Sequence, residues 1–284
     1  GWISGMHLAA LKKIQEAQVV AVAGRNLARA KELADSAGAK AYADYNEMLA
    51  KEGLDAAFIL LPPDAHGDVE MACAGKVKAV MIEKPISNSL AQAREIAAAF
   101  EKNGTLAAVG FMNRYRAGAQ LAKELFSKSP DKPVLVNGWW VNQFPPVAWW
   151  MDASRSGGQF VEQCTHLVDL ARYIVGEIVE VQAFSTKGFV TGIQGYSADD
   201  AMTVNIKFAS GAIGSFATGC FPLNGTDKQR AIALTVASRT LKCEFSGWCM
   251  QLDATHSGSH AECVKPEDDI FEIQDRAFLG ALLK

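Results

Sequence analysis

The sequence predicts a two-domain α/β protein. A parallel sheet with helical crossovers is expected over residues 1–112, followed by an α+β domain with a large, mainly antiparallel open sheet over residues 113–284. Three observations carry this. Short apolar runs alternate with helical stretches as far as Val109. Beyond Arg114 the strand-like runs lengthen, and Ser-Gly and Asn-Gly turns separate several of them. The chain, at 284 residues with 49% hydrophobic and 21% charged content, is long enough for two cores.

Each element has its own signal. Gly1-Trp2-Ile3-Ser4-Gly5 leads directly into a helical pattern with Leu8, Leu11 and Ile14 on one face. Gln18–Ala23 reads as a buried strand ending at Gly24-Arg25-Asn26. A helix from about Ala28 to Ala37 is closed by Gly38, and Lys40–Tyr42 is a short strand. Asp44 and Glu47 have the spacing of a capping box at the start of the next helix. Ala56–Leu61 is a buried strand stopped by Pro62-Pro63, and a helix over Ala65–Ala74 follows. Ala79–Ile82 is then a wholly apolar strand that ends abruptly in Glu83-Lys84-Pro85. A helix over Ser89–Lys102 stops at Gly104, and Leu106–Val109 is the last short strand.

The second region opens with a helix over Ala117–Ser127 and a strand over Val134–Val141. A Pro- and Trp-rich loop, residues 144–158, leads to a helix over Gln159–Val175. Longer strands follow at Val179–Phe184, Ala201–Phe208, Ala212–Thr218, Ile232–Val236 and Leu241–Phe245. Asp269–Lys284 is helical.

The totals exclude some classes of function. A net charge of −3 with no long basic run gives no electrostatic footprint for nucleic acid or an acidic membrane. No run of eighteen apolar residues predicts a spanning helix. The six cysteines are scattered without a CxxC pair, and no basic-then-apolar leader is visible, so reduced thiols in a cytoplasmic protein are expected.

Several chemistry-bearing residues fall at strand ends, where open parallel sheets bind their ligands. Gly1-Trp2-Ile3-Ser4 matches the latter half of a G-x-G-x-x-G/A dinucleotide fingerprint, with Ser4 in the third position. Its backbone N–H groups at a helix start would face a pyrophosphate. The first strand and first glycine of that fingerprint are absent, so the chain is expected to be a fragment of a longer one, truncated at both ends. Gly24, Arg25 and Asn26 stand where an acid would hold a ribose 2′-hydroxyl. Arg25 suits a 2′-phosphate instead, which favours NADP while leaving NAD possible. Leu61, Pro62 and His66 would line the nicotinamide half, with Glu83 and Lys84 on the next strand.

The pieces GWISGMHL, LLPPDAH, VMIEKP, VGFMNRYR and GGQFVEQCTHLVDLARYIVGE resemble the glucose–fructose oxidoreductase, inositol dehydrogenase and rhizopine-catabolism family (Gfo/Idh/MocA). The resemblance runs over most of the chain. It implies a Rossmann NAD(P)-binding domain joined to an α+β domain whose open sheet often mediates homo-oligomers. It also implies that Lys84 touches both nicotinamide ribose and substrate, and that His166 lies opposite it. The family more commonly has aspartate where Glu162 stands. Glu162, His166 and Asp169 are spaced four and three apart, which places them on one face of an α-helix.

The expected chemistry is hydride transfer between a nicotinamide and a secondary hydroxyl of a sugar, cyclitol or related polyol. His166 would be the general base, since an imidazole titrates near neutrality. Lys84 would hydrogen-bond the developing alkoxide, with Glu162 orienting one of the two. Arg114 and Tyr115 would border the nicotinamide, and Trp149 and Trp150 would stack on a sugar ring. Two alternatives stand beside this: a glycosidase that oxidises its substrate transiently with tightly held NAD, and a non-catalytic dinucleotide sensor. His256, His260 and Cys263 have zinc-like spacing but lack a clear fourth ligand nearby, so a hairpin is expected there and no metal.

Overall fold

The structure, a computed structural model, describes residues 1–143, 145, 147–221, 231–265 and 269–284. Phe144 and Pro146 of the Trp-rich loop and the expected Asn224-Gly225 turn lie outside these. The chain forms two compact units, Gly1–Met112 with Asp269–Lys284, and Asn113–Asp268.

In the first unit, helix α1 (Trp2–Leu11) precedes strand β1 (Ala21–Ala23), helix α2 (Leu27–Asp35) and strand β2 (Lys40–Tyr42). β1 and β2 pair in parallel as a two-stranded sheet. The expected strand from Gln18 is shorter than predicted and only half-buried, because among the described residues β2 alone pairs with it. Asn26 caps α2 by accepting from the Arg29 N–H at 3.2 Å. Helix α3 (Tyr45–Lys51) is capped by Asp44, which accepts from the Asn46 N–H at 2.8 Å. Glu47 completes no capping box; it pairs forward with Lys51 at 2.6 Å.

Strands β3 (Ala56–Ile59), β4 (Ala79–Ile82) and β5 (Leu106–Val109) form a parallel sheet in that spatial order. Between β3 and β4 lies helix α4 (Asp68–Cys73), and between β4 and β5 helix α5 (Leu90–Asn103). β4 is central and all four of its residues are buried, which explains its uninterrupted apolar run. Ile59, Ile82 and Val109 stand in register, so the residues following them share one edge of the sheet. The predicted helix 65–74 is split. A 3₁₀ turn at Pro63–Ala65 precedes α4, and Gly67 between them has φ +119°, which breaks a continuous helix.

In the second unit, helix α6 (Ala117–Lys128) leads to strand β6 (Leu135–Val141), then to the short helices α7 (Ala148–Met151) and α8 (Ala153–Ser156). The predicted helix 159–175 begins as a π-helical segment, Phe160–Cys164, and continues as helix α9 (Thr165–Val175). The strands that follow are β7 (Ile178–Thr186), β8 (Ala201–Phe208), β9 (Ile213–Gly219), β10 (Ala231–Ala237), β11 (Leu241–Ser246), β12 (Gln251–His256) and β13 (Ser259–Val264). Among the described residues these and β6 make an eight-stranded sheet of order β13-β12-β11-β10-β6-β9-β8-β7. Its neighbours are antiparallel except β6 and β9, which run parallel.

One face of this sheet is covered by α6 and α9, with Phe126, Leu167 and Leu170 packed among Trp140, Phe216, Leu234 and Phe245. Gly138 pairs with Phe216 across β6 and β9, and a Cβ there would collide with the Phe216 ring. Leu135 and Ile213, partners across the same strands, are exposed, as is Trp139.

Helix α10 (Ile270–Leu282), assigned from the sequence to the second domain, packs with the first unit. Phe278 is buried with Ala79 and Met81, and its ring meets Phe58 edge-on at 5.4 Å. Hiding such a side chain contributes about 1.5–3 kcal/mol to holding the end of the chain against β4, with Leu279 and Leu282 packed beside it. The first unit is therefore discontinuous in the chain. No helix among the described residues is long and apolar enough to cross a membrane. All six cysteines are unpaired.

Candidate functional site

The sheet edge of the first unit gathers Leu61 and Pro62 after β3, Glu83-Lys84-Pro85 after β4 and Gly110 after β5. Glu83 points into the unit. Its carboxylate meets the His7 Nε2 at 3.2 Å and accepts the Lys84 backbone N–H at 3.2 Å. A Cβ on Gly110 would lie 2.6 Å from Glu83 Oε1, so that glycine makes room for the carboxylate. Glu83 was expected to contact the cofactor; being buried, it anchors the turn that presents Lys84.

On its other side, the His7 Nδ1 lies 2.9 Å from the Asp275 carboxylate of α10. Burial alone would lower the His7 pKa, but hydrogen bonds to Asp275 and Glu83, with their charges, raise it to about 9. Burial pushes the Asp275 carboxyl upward, and the pull of His7 offsets that only in part. His7, Asp275 and Gly110 were all missed in the sequence. His7 did carry a signal, as a histidine within an otherwise apolar helix start, whereas Asp275 has none until α10 is placed.

Other expected cofactor contacts fare differently. His66 is turned inward, with Nδ1 2.6 Å from Glu70 and Nε2 3.1 Å from the Leu61 carbonyl. Glu70 also accepts the Gly67 N–H at 2.6 Å. His66 therefore fixes the Pro62-Pro63 turn, and its buried ring does not line a ligand site. The Asn26 side-chain oxygen is occupied as the α2 cap. Arg25 and Gly24 follow β1, with Arg25 exposed. At the start of α1, Gly1 precedes Trp2, Ile3 and Ser4 with no side-chain cap and no acidic residue in the first turn.

In the second unit the π-helical segment changes the predicted face. Its wider turn rotates Glu162 relative to the residues of α9. Glu162 accepts from Trp150 Nε1 at 3.1 Å. His166, 5% exposed, stacks on Trp140 with ring centroids 6.0 Å apart and planes at 21°. Asp169 instead receives two hydrogen bonds from Arg114, at 2.8 and 2.6 Å.

One expectation is corrected here. Trp150 is 1% exposed and packs with Ala198 and Cys220, so its ring cannot serve as a sugar platform. Arg114, expected at the nicotinamide, pairs with Asp169 and lies 5.3 Å from the Tyr173 ring centre, with its side chain still partly exposed. Trp149 and Tyr115 are half-buried. His256, His260 and Cys263 fall on the β12–β13 hairpin, where His260 lies 3.1 Å from Asp253.

Residues 1–111 match the oxidoreductase family with an NAD-binding Rossmann fold, and residues 123–235 match the GFO/IDH/MocA C-terminal domain. A scyllo-inositol 2-dehydrogenase (NAD(+)) of Bacillus subtilis is 30% identical over 203 residues, 70% of this chain and 58% of its own length. A myo-inositol 2-dehydrogenase of Thermotoga maritima is 30% identical over 218 residues, 75% of this chain and 64% of its own. The chain thus spans about three-fifths of these relatives. A solved NAD binding oxidoreductase from Klebsiella pneumoniae superimposes with a TM-score of 0.87 at 20% identity, covering 100% of this chain and 88% of the other. At that identity the likeness establishes the fold.

Proposed function

The chain belongs to the Gfo/Idh/MocA oxidoreductase family, and on that premise we propose that it is an NAD(P)-dependent oxidoreductase acting on a secondary hydroxyl or carbonyl of a sugar, cyclitol or related polyol. The observation that carries this reading is the strand tip at Glu83-Lys84-Pro85. A buried carboxylate holds the backbone there, so that Lys84 is fixed at the edge where parallel sheets receive ligands.

The residues present fit a dinucleotide. The uncapped start of α1, with no acid in its first turn, offers backbone N–H groups to a diphosphate. Exposed Arg25 suits a 2′-phosphate, which supports NADP, with NAD as the alternative. When bound, the nicotinamide would supply or accept the hydride. Lys84 would donate a hydrogen bond to the reacting oxygen, and His166 is the candidate for the proton-transferring group on the strength of the family resemblance. Trp140, stacked on His166, restricts the orientation of that imidazole. Glu162 accepts from Trp150 Nε1 and would orient the residues around it. The exposed Leu135, Trp139 and Ile213 on the second unit's sheet support assembly of copies through that face.

A panel of sugars and cyclitols, followed by nicotinamide absorbance with each cofactor, tests the reading. Cofactor reduction that disappears in Lys84→Ala and His166→Ala is the expected result. A glycone released without net reduction would replace it with the glycosidase reading, and turnover undiminished in Lys84→Ala would remove the catalytic assignment.

A further inference from the structure

Three elements distant in sequence meet at His7: α1, the tip of β4 and the C-terminal helix α10. The ring nitrogens each face a carboxylate, Asp275 at 2.9 Å and Glu83 at 3.2 Å. A neutral imidazole has one donor and one acceptor, and ionised carboxylates only accept. Two carboxylates on one ring are therefore satisfied together when the ring carries both protons. The rest of the pocket is aromatic, with the Phe58 ring of β3 at 5.5 Å and Phe271 of α10 at 5.3 Å. Asp275 and Glu83 are the charged groups facing the ring.

We propose that His7 is a positioning residue: as an imidazolium clamped between Asp275 and Glu83, it locks α1, whose first turn receives the cofactor's phosphates, to the strand tip that carries Lys84. This rests on the dinucleotide-binding reading above. The Glu83 carboxylate completes the link, since it bonds the His7 ring and the Lys84 backbone and abuts Gly110. Loss of the ring proton removes one of the two clamping hydrogen bonds. Cofactor affinity then depends on a group that does not itself touch the cofactor.

The test uses the full chain, His7→Gln and Asp275→Asn, with binding of NADH and NADPH followed by fluorescence across pH, and with histidine ring carbons followed by NMR. The wild-type His7 resonance is expected to titrate near pH 9 and to fall by at least about one unit in Asp275→Asn. Wild-type affinity for the preferred cofactor should drop about tenfold as pH rises past that point. In His7→Gln, which keeps Lys84 and offers an amide N–H but no positive charge, the affinity should be low and flat with pH. A purely structural role would lower stability in the variant but leave the pH inflection in place. Wild-type affinity that does not fall with pH overturns the proposal, whether or not the variants fold. Cofactor binding that persists unchanged in folded His7→Gln overturns it too, leaving the oxidoreductase reading intact. A wild type that binds neither cofactor overturns both.

Discussion

Arg114 and Asp169 form a forked ion pair within the second unit: guanidinium Nε and Nη2 donate to the two carboxylate oxygens at 2.8 and 2.6 Å. The hydrogen bonds to Asp169 raise the Arg114 pKa above its ordinary value. Asp169 is buried while Arg114 is partly exposed, so the carboxylate depends on the pair more than the guanidinium does. Arg114→Ala is expected to cost about 2–4 kcal/mol, because it strands a buried charge. Arg114→Lys should recover part of that, since an ammonium cannot fork. Urea unfolding of both variants, with Asp169→Asn completing a double-mutant cycle, checks the coupling.

Stability should fall with alkaline pH through His7. Its pKa is raised from 6.5 to about 9 in the folded protein, so the folded state binds a proton more tightly than the unfolded chain. The stabilisation is complete below pH 6.5, declines as pH rises and is gone above about 9. At most it amounts to about 3 kcal/mol. Unfolding midpoints measured on either side of that window should show the wild type losing its advantage over His7→Gln as pH climbs.

Gly110→Ala tests the seat of the Glu83 carboxylate. The added Cβ would come within 2.6 Å of Oε1, and His7 on the other side leaves the carboxylate little room to retreat. A loss of about 1–3 kcal/mol is expected for this overpacking. Wild-type thermal stability in the variant would mean that Glu83 shifts freely.

Arg25→Ala should separate the two cofactors. Losing a charge-assisted contact to a 2′-phosphate is worth about 1.5–3 kcal/mol, roughly a 10- to 100-fold loss of NADPH affinity, with NADH nearly unchanged. Equal changes for both cofactors would argue against a 2′-phosphate contact and for NAD.

The sequence by itself determined the order of elements and the two architectures, because burial writes itself locally. The run Ala79–Ile82 is apolar throughout since β4 lies between two strands, and the alternation of Val136, Gly138 and Trp140 marks the covered face of β6. The Glu83-Lys84-Pro85 tip and the helix bearing His166 were legible for the same reason. What only the tertiary structure decided was where the side chains of those motifs turn. Glu83 faces inward because His7, brought in by folding, offers it a charged partner, while His66 turns in to Glu70 only four positions on. Trp150 is buried against Ala198 and Cys220 from a later part of the chain. The π-helical turn at Phe160–Cys164 upset a face computed on 3.6 residues per turn. Asp275 reaches His7 across 268 positions, and no local pattern encodes a pairing at that distance. Such contacts are set by the packing of α10 on the first unit, where the burial of Phe278 and the clamping of His7 are decided together.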